Sequence, residues 1–594
     1  MPEAYAKTWK IKAYDQGLLE ALAKQANVHP LIAQLLIGRG VNRPEDVASF
    51  LKPKLTNLRP PEELPGCLDV AKKLLAAIKA DKKITVYGDY DVDGMTGTAI
   101  LRQAIRLLGG RVNYYVPARL TEGYGLNNEA IRTLAAEGTD LIITNDCGIN
   151  SLEEAKTAKE AGVEMLITDH HTPGEQLPDV SAIAHPQIVH PQSGNTYPFP
   201  ELSGAMVAFK VAWALCQLAE SDKTERKKLS QPLRDFLIQA VGLAAMGTVA
   251  DVMPLLDENR TLVRYALEYS LKTSAPIGLK ELMRVVGLKE EKPITSETIG
   301  FTLAPRLNAA GRLGFAQIGV ELLVTDKPDR AVEIAEYVNG LNESRQKLER
   351  EILRAATQQI EEKFSPDDSA YVLADSSWHA GIIGIVSGRL SEKFNKPVIL
   401  IAKDKMESKP ATGSARTIRG FNLYDALSRC SDFLARFGGH AAAAGLTIED
   451  KMIDAFREAF CEIAEEMSPT SDRFQEVVID AEFPLHVFDT EMVRQIDSLA
   501  PFGQQNTRPV FCTSGVRVAE PARTMGQDHR HFMVTLRQGS TKIRAIAFGV
   551  AEWVDPINSH QGTIDIAFHP VINDFRGFAK VELQLLDWRP SIGG

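Results

Sequence analysis

The sequence predicts an α/β protein: a doubly wound, mostly parallel sheet, a second α/β lobe joined to it by a long helix, and a small C-terminal β-barrel. Three observations predict this. From residue 84 to 173, short apolar runs alternate with helical stretches, as buried parallel strands do when helices cover both sheet faces. At 346–362, QKLEREILRAATQQIEE has the charged, helical-period pattern of one long helix. After SPTSD (468–472), long helices give way to short strands such as FMVTLRQG and KIRAIAFG, a pattern that suits a barrel.

Taken in order, residues 16–50 repeat apolar positions near a helical period, and KPKLTNLRPPEELPG (52–66) reads as a Pro-rich connector. LDVAKKLLAAIKA (68–80) is an amphipathic helix feeding the strand that opens ITVYGDYDVDG (84–94). There follow helix TGTAILRQAIRLLG (96–109), strand RVNYYVP (111–117), helix NEAIRTLAAEG (128–138) and strand DLIITNDCG (140–148). Helix SLEEAKTAKEAG (151–162) and strand VEMLITDHHTP (163–173) continue the alternation. AMVAFKVAWALCQLA (205–219) is a strongly apolar helix, SDKTERKK (221–228) an exposed charged turn, and YVLAD (371–375) opens the second lobe. The expected division is an N-terminal helical region (1–66), the first α/β domain (67–345), a connecting helix (346–365), the second lobe (366–467) and the barrel (468–594). That suits 594 residues at roughly 100–200 per domain.

Hydrophobic residues form 44% of the chain, which excludes a disordered scaffold. The net charge of -10 weighs against a uniformly basic nucleic-acid binder, since non-specific DNA affinity comes from Lys and Arg. An acidic body can still carry one basic groove, and clustered carboxylates count as negative until cations fill them. The six cysteines, Cys67, Cys147, Cys216, Cys430, Cys461 and Cys512, lack zinc or redox spacing and read as reduced thiols of a cytoplasmic protein. No run of about 18 apolar residues and no leader pattern stands out, so no membrane partner is expected. The absence of a heptad pattern points to a monomer.

Three strand ends carry the candidate chemistry. GDYDVDG places Asp89, Asp91 and Asp93 at alternate positions, which face one side if the segment is extended. ITNDCG ends a strand with Asp146, and ITDHHTP ends the next with Asp169, His170 and His171. Asp251 in GTVADVMPL is a fourth candidate. Open α/β sheets bind ligands at the carboxyl ends of their strands. Like charges gathered there repel unless cations neutralise them, and carboxylates with imidazole suit Mn²⁺ or Mg²⁺. Any one of these side chains alone reads as a loop Asp or a solvated His; the set at successive strand ends reads as a metal centre. A calcium loop at DYDVDG is disfavoured, because the segment follows a strand and lacks the later Glu. Cys147 as nucleophile would need a paired base that nothing local specifies, so it reads as packing.

On these motifs the sequence resembles the DHH phosphoesterase superfamily, and within it the bacterial RecJ family of single-strand-specific exonucleases. YGDYDVDG, TNDCG, TDHHTP and GTVADVMPL match the core motifs in order, followed by APRLNAAGRLG (304–314), LNESRQ (341–346), WHAGIIGIVSGRL (378–390), GSAR (413–416) and FGGHAAAAGL (437–446). The resemblance implies a DHH-type first domain, a DHHA1-type substrate lobe and an OB-like nucleic-acid-binding barrel. It implies two divalent cations, with Asp91 on one, Asp93 on the other and Asp146 bridging. His170 and Asp251 would complete the second site, and Asp89 would lie beside the first. His171 would sit near the scissile phosphate, and Asp169 would support an imidazole from behind. The family segment PFGxGNPxPVF is altered here to PFGQQNTRPVF (501–511), with Gln505 for the second glycine, Thr507 for the proline and Arg508 as an added charge.

Arg119 after a strand end, and Arg306 and Arg312 flanking Asn308, are candidate substrate contacts, since the guanidinium fork matches phosphate. Surface or inter-lobe salt bridges are the alternative reading of these arginines. In the second lobe, Ser414 and Arg416 could cradle a phosphate, and a turn at Gly438, Gly439 and His440 could bring backbone N–H groups close. His379 reads either as a packed histidine or as a substrate contact. In the barrel, Phe532, Arg544, Phe548, Phe575 and Arg576 are candidates for base stacking or backbone contact, each aromatic being otherwise barrel core.

The resulting expectation is two-metal hydrolysis of single-stranded DNA, with 5′→3′ polarity, release of 5′-mononucleotides, and helicase and single-stranded-DNA-binding protein as candidate partners in repair and recombination. Polarity and partners come wholly from the resemblance. An oligonucleotide or cyclic-dinucleotide phosphodiesterase is the alternative within the same chemistry, and the added barrel counts against it. A non-catalytic DNA-binding scaffold would have lost metal ligands, and a pyrophosphatase would leave the barrel unexplained.

Overall fold

The computed structural model describes residues 7–118, 122, 125–190, 194–221, 229–406, 409–418, 420–467, 476–574 and 579–591. The chain divides into two compact units. One comprises residues 58–253 and 257–471, the other residues 1–57, 254–256 and 472–594.

The larger unit holds two sheets. The first has five parallel strands: β1 (Lys83–Gly88), β2 (Arg111–Tyr115), β3 (Leu141–Asn145), β4 (Glu164–Thr168) and β5 (Ala182–Ala184), in the order β2-β1-β3-β4-β5. β3 is buried along its whole length and β1 along all but its first residue, which is why they read as continuous apolar runs rather than alternating ones. β1, β3 and β4 end at the three acidic motifs. Helices Gly204–Ser221 and Gln231–Ala250 are apolar almost all round and buried in this unit. The second of them is long and apolar enough to cross a membrane, but two-thirds of that stretch is buried (67%) and it serves as a core helix.

The connecting helix is longer than 346–365. It starts at Pro328, whose position in the first turn suits a ring without an N–H, and runs unbroken to Lys363. Its early part packs on the first lobe and its later part on the second. The second lobe is a mixed sheet of β6 (Tyr371–Asp375), β7 (Val398–Ala402), β8 (Ala411–Arg416), β9 (Arg436–Gly439) and β10 (Ala443–Ile448), in the order β9-β10-β8-β7-β6, with only β6 and β7 parallel.

In the smaller unit, strands Phe511–Met525, His531–Gln538, Thr541–Ala547, Ile564–Asn573 and Lys580–Pro590 close into a barrel in the order one-two-three-five-four-one. The third and fifth pair in parallel and the short helix Val554–Ser559 links the third to the fourth, an OB-type arrangement. The N-terminal helices do not stand as a region of their own. Strand Thr8–Ile11 pairs in parallel with Glu476–Ile479, and Leu19, Leu22, Leu31, Leu35 and Leu36 join Phe511, Phe532 and Phe568 in one buried cluster. In the altered PFGQQNTRPVF segment, Gln505 has φ 57, a left-handed conformation that costs a residue with a Cβ about 1–2 kcal/mol and glycine little. Arg508 pairs with Asp497 at 2.9 Å and lies over the Phe502 ring.

Candidate metal centre

The acidic residues converge by a route other than strand alternation. β1 ends at Gly88, and the helix Val92–Leu107 begins four residues later. Asp91 is its N-cap, accepting from Asp93 N at 2.9 Å and Gly94 N at 3.1 Å. Asp93 sits in the first helical turn and accepts from Gly204 N at 2.6 Å and Ala205 N at 3.0 Å, at the start of a second helix. Two helix N-termini, with their unpaired N–H groups, thus hold two carboxylates. The 89–93 segment is a strand-to-helix turn, so the expectation of an extended segment with one-sided side chains fails, although the three carboxylates still gather.

Asp146 follows β3 with φ 63, and Asp169, His170 and His171 follow β4. His170 Nε2 lies 3.0 Å from Asp146 Oδ1, 3.6 Å from Asp251 Oδ2 and 3.9 Å from Asp93 Oδ2. Asp251 is contributed by the C-terminal end of helix Gln231–Ala250. The close approach requires two glycines that sequence reading missed. A Cβ at Gly204 would fall 2.6 Å from Asp146 Cβ, and one at Gly247 would fall 2.3 Å from Asp93 Oδ1.

Donor atoms lie within 4.8 Å of one another in three groups among the described residues: Asp89, Asp91 and Asp146; Asp93, His170 and Asp251; and Asp146, His170 and His171. Asp89 thus offers a donor atom in the same group as Asp91 and Asp146. Asp146 Oδ1 and His170 Nε2 are both buried and face each other at 3.0 Å, and neither makes a well-aligned hydrogen bond to a described residue. Burial and the charge of Asp91 raise Asp93 to about 7. Burial and the charges of Asp93 and Asp91 raise Asp251 to about 8. Burial, then Asp93, Asp91 and Asp89, press Asp146 well above the usual carboxylate range. Burial, then the neighbouring His171, lowers His170 to about 4, so its imidazole is neutral, the form that ligates. Oxygen-rich donors with one imidazole fit hard divalent cations, and such ions would relieve the repulsion that these shifts record.

Asp169 lies outside these donor groups. It accepts from Ile149 N, His170 N and His171 N and meets His171 Nδ1 at 2.7 Å. Burial alone would raise it, but the His171 hydrogen bond and charge hold it down to about 2. Burial likewise opposes the imidazolium of His171, and Asp169 overcomes this to raise it to about 9. Two further residues went unread. His185 is fully buried, with Nε2 donating to His171 O at 2.8 Å and Nδ1 accepting from Gln187 N at 3.0 Å. Gln187 Nε2 donates to His170 O at 2.8 Å. The string HPQ (185–187) was the only trace of them.

Cys147 is packing: its thiol faces Asn145 O and Tyr87 O, and burial, then Asp169, pushes its pKa well up. Asn308 Oδ1 accepts from Val92 N at 3.1 Å and so supports the Asp91 turn. Arg306 donates to Asn339 Oδ1 and Thr302 O, and Arg312 reaches Gly381 O of the second lobe at 3.4 Å. Arg119, Phe575 and Arg576 lie outside the described residues. His379 caps the helix Ala380–Phe394, Nδ1 accepting from Gly381 N at 3.1 Å, and is half-buried. Arg416 Nη1 donates to Ser414 Oγ at 3.3 Å and Ala415 O at 2.8 Å, bringing that pair together. Gly438 and Gly439 are paired within β9 rather than in an open turn, and His440 N is spent on Ala443 O. In the barrel, Phe532 is core at 0% exposure, Arg544 pairs with Glu582, and Phe548 is exposed.

Comparison with known proteins agrees with this architecture. Residues 83–241 match the DHH family, N-terminal domain, 367–466 the DHHA1 domain, and 479–587 the RecJ OB domain. The single-stranded-DNA-specific exonuclease RecJ of Bacillus subtilis is 37% identical over 579 residues, covering 98% of this chain and 70% of that protein. The RecJ of Salmonella typhimurium is 31% identical over 95% of this chain and 96% of its own length. The crystal structure of Thermus thermophilus RecJ in complex with Mn²⁺ superposes with a TM-score of 0.82 at 30% identity, covering 100% of this chain and 81% of that one. With a likeness that spans all three matched domains and nearly the whole chain, the protein belongs to the RecJ family of single-stranded-DNA-specific exonucleases.

Proposed function

We propose that the chain degrades single-stranded DNA from its 5′ end, hydrolysing phosphodiester bonds with two Mn²⁺ or Mg²⁺ ions and releasing 5′-mononucleotides. The observation that carries this is the gathering of Asp93, Asp146 and Asp251 around His170, a cluster of like charges that divalent cations would neutralise. Asp89, Asp91 and Asp146 would hold one ion, Asp93, His170 and Asp251 the other, with Asp146 between them. Ions so placed would lower the pKa of a water and take up charge on the phosphate oxygens. Asp169 orients His171, which contacts the scissile phosphate through Nε2. Arg416 and Ser414 receive a neighbouring phosphate, and Arg312, where the lobes meet, steadies the strand. Work in DNA repair and recombination as a cytoplasmic monomer, alongside a helicase and a single-stranded-DNA-binding protein, is the setting this reading suggests.

The test follows product release from DNA labelled separately at its 5′ and 3′ ends, with Mn²⁺ or Mg²⁺. We expect early mononucleotide from the 5′ label, none from blunt duplex, and none from Asp146→Ala. Early release of the 3′ label would overturn the polarity; no cleavage of any polymer would overturn the exonuclease.

A further inference from the structure

One exposed aromatic ring lies on a segment packed against two elements that carry the acidic cluster, unused by the roles given so far. Phe301 is 81% exposed and lies in a π-helical turn, Thr298–Leu303, a local widening often found at functional sites. Its position is fixed from both sides. A Cβ on the preceding Gly300 would come 3.9 Å from Val249 Cγ1, and Val249 is two residues before Asp251. The helix that continues the turn carries Arg306, which donates to Thr302 O at 2.6 Å. It also carries Asn308, which holds Val92 N in the Asp91–Asp93 turn at 3.1 Å. The segment 300–308 therefore links the helix that ends at Asp251 to the Asp91–Asp93 turn, with Phe301 exposed on it and the Arg306 guanidinium, which also donates to Asn339 Oδ1, about one turn away. Val252 gives an independent sign that the neighbourhood of Asp251 shows apolar groups to solvent. It follows Asp251 directly, is 64% exposed and has φ 56, a conformation rare for β-branched residues.

Aromatic platforms hold bases without reading sequence, because every base has a π-face. A ring beside a phosphate-cleaving centre and a guanidinium matches the parts of one nucleotide. We propose that Phe301 is a base-stacking platform for a nucleotide next to the scissile phosphate, a specificity-determining contact favouring unpaired strands, since a base must leave its duplex stack to lie on the ring. The proposal rests on the exonuclease reading above.

The test measures degradation by the full chain with Mn²⁺ of a 5′-labelled single strand. The same strand is also made with one abasic residue at each of its first several positions. For Phe301→Ala we expect KM to rise roughly tenfold, the effect of one lost stacking contact, with kcat within about twofold of wild type. Phe301→Trp restores KM. The half-saturating Mn²⁺ concentration stays the same in both variants. At one position an abasic residue slows the wild type to the level of Phe301→Ala and does not slow that variant further, the non-additivity of two changes to one contact. Wild-type degradation with unchanged KM in Phe301→Ala, additive abasic effects at every position, or a shifted Mn²⁺ requirement would each overturn the platform alone. Failure of the wild type to degrade any strand would overturn the exonuclease reading, and the platform with it.

Discussion

Asp93, Asp146 and His170 are 1%, 2% and 8% exposed and are set between backbone donors and tightly placed glycines, whereas Gly439 and His440 of the second lobe lie open to solvent on a hairpin. The two lobes thus place polar groups in opposite ways. In the first, geometry is fixed by burial, and the apo cluster is electrostatically frustrated in consequence. In the second, the half-buried Arg416–Ser414 pair and the exposed hairpin gather no such buried cluster of like charges. The contrast teaches that charge placement in the first lobe opposes stability unless cations are present, while the second lobe can be altered with graded effects.

The largest expected effect separates activity from stability in the first lobe. Asp146→Asn should lower hydrolysis by on the order of 10³-fold or more, because charge stabilisation worth several kcal/mol is lost. In chelator, the same variant should melt at a higher temperature than wild type. The sign for the wild type follows from linkage. Asp93 and Asp251 are raised in the folded state to about 7 and about 8, from the ordinary 3.8. Folded protein then holds protons that the unfolded chain releases, so the stability they contribute is full below about pH 4 and is lost as pH rises through 7 and 8. Melting temperature without metal should fall over that window, and excess Mn²⁺ should flatten the fall. A metal-free melting temperature that climbs between pH 5 and 8 would break the claim of frustration.

Most of the donors that the structure gathers were legible because they sit in short strings at strand ends; Asp251 instead closes a helix. The means of convergence was less so. Asp91 and Asp93 share a side of the site through a helix start, and the donors that steady Asp93 come from Gly204 and Ala205, more than a hundred residues away. No periodicity carries such a contact. The pairing of Thr8–Ile11 with Glu476–Ile479 was hidden for the same reason, as was the union of the N-terminal helices with the barrel core. The barrel itself was visible because its strands are consecutive in sequence. In the second lobe, GGH suggested an open turn, since a glycine pair reads alike in a loop and in a hairpin strand.

A middle-sized effect is expected behind the His170–His171 turn, whose carbonyls accept from Gln187 and His185. His185→Asn keeps an acceptor for Gln187 N but loses the donor to His171 O, whereas His185→Gln reaches that carbonyl with an amide N–H. Removing such a support typically costs 10–100-fold in metal affinity, so His185→Asn should raise the half-saturating Mn²⁺ concentration about tenfold or more, and His185→Gln should largely restore it. Equal behaviour of the two variants would show that His185 only fills space, and that the first lobe is held less tightly than its burial implies.

The smallest effects belong to the second lobe. Arg416→Ala should raise KM for single-stranded DNA roughly tenfold, about the worth of one charged hydrogen bond, with kcat little changed. His440→Ala should change either parameter by less than about twofold, within the range of an exposed substitution. Its N–H bond to Ala443 O survives the mutation, so the hairpin keeps its shape, and the ring itself is open to solvent. Steady-state kinetics on one oligonucleotide, at saturating Mn²⁺, distinguishes these cases. If His440→Ala instead lowered kcat by more than tenfold at unchanged KM, the exposed hairpin would be acting on the reacting phosphate itself. The division between a lobe that does chemistry and a lobe that holds the strand would then fail at that residue.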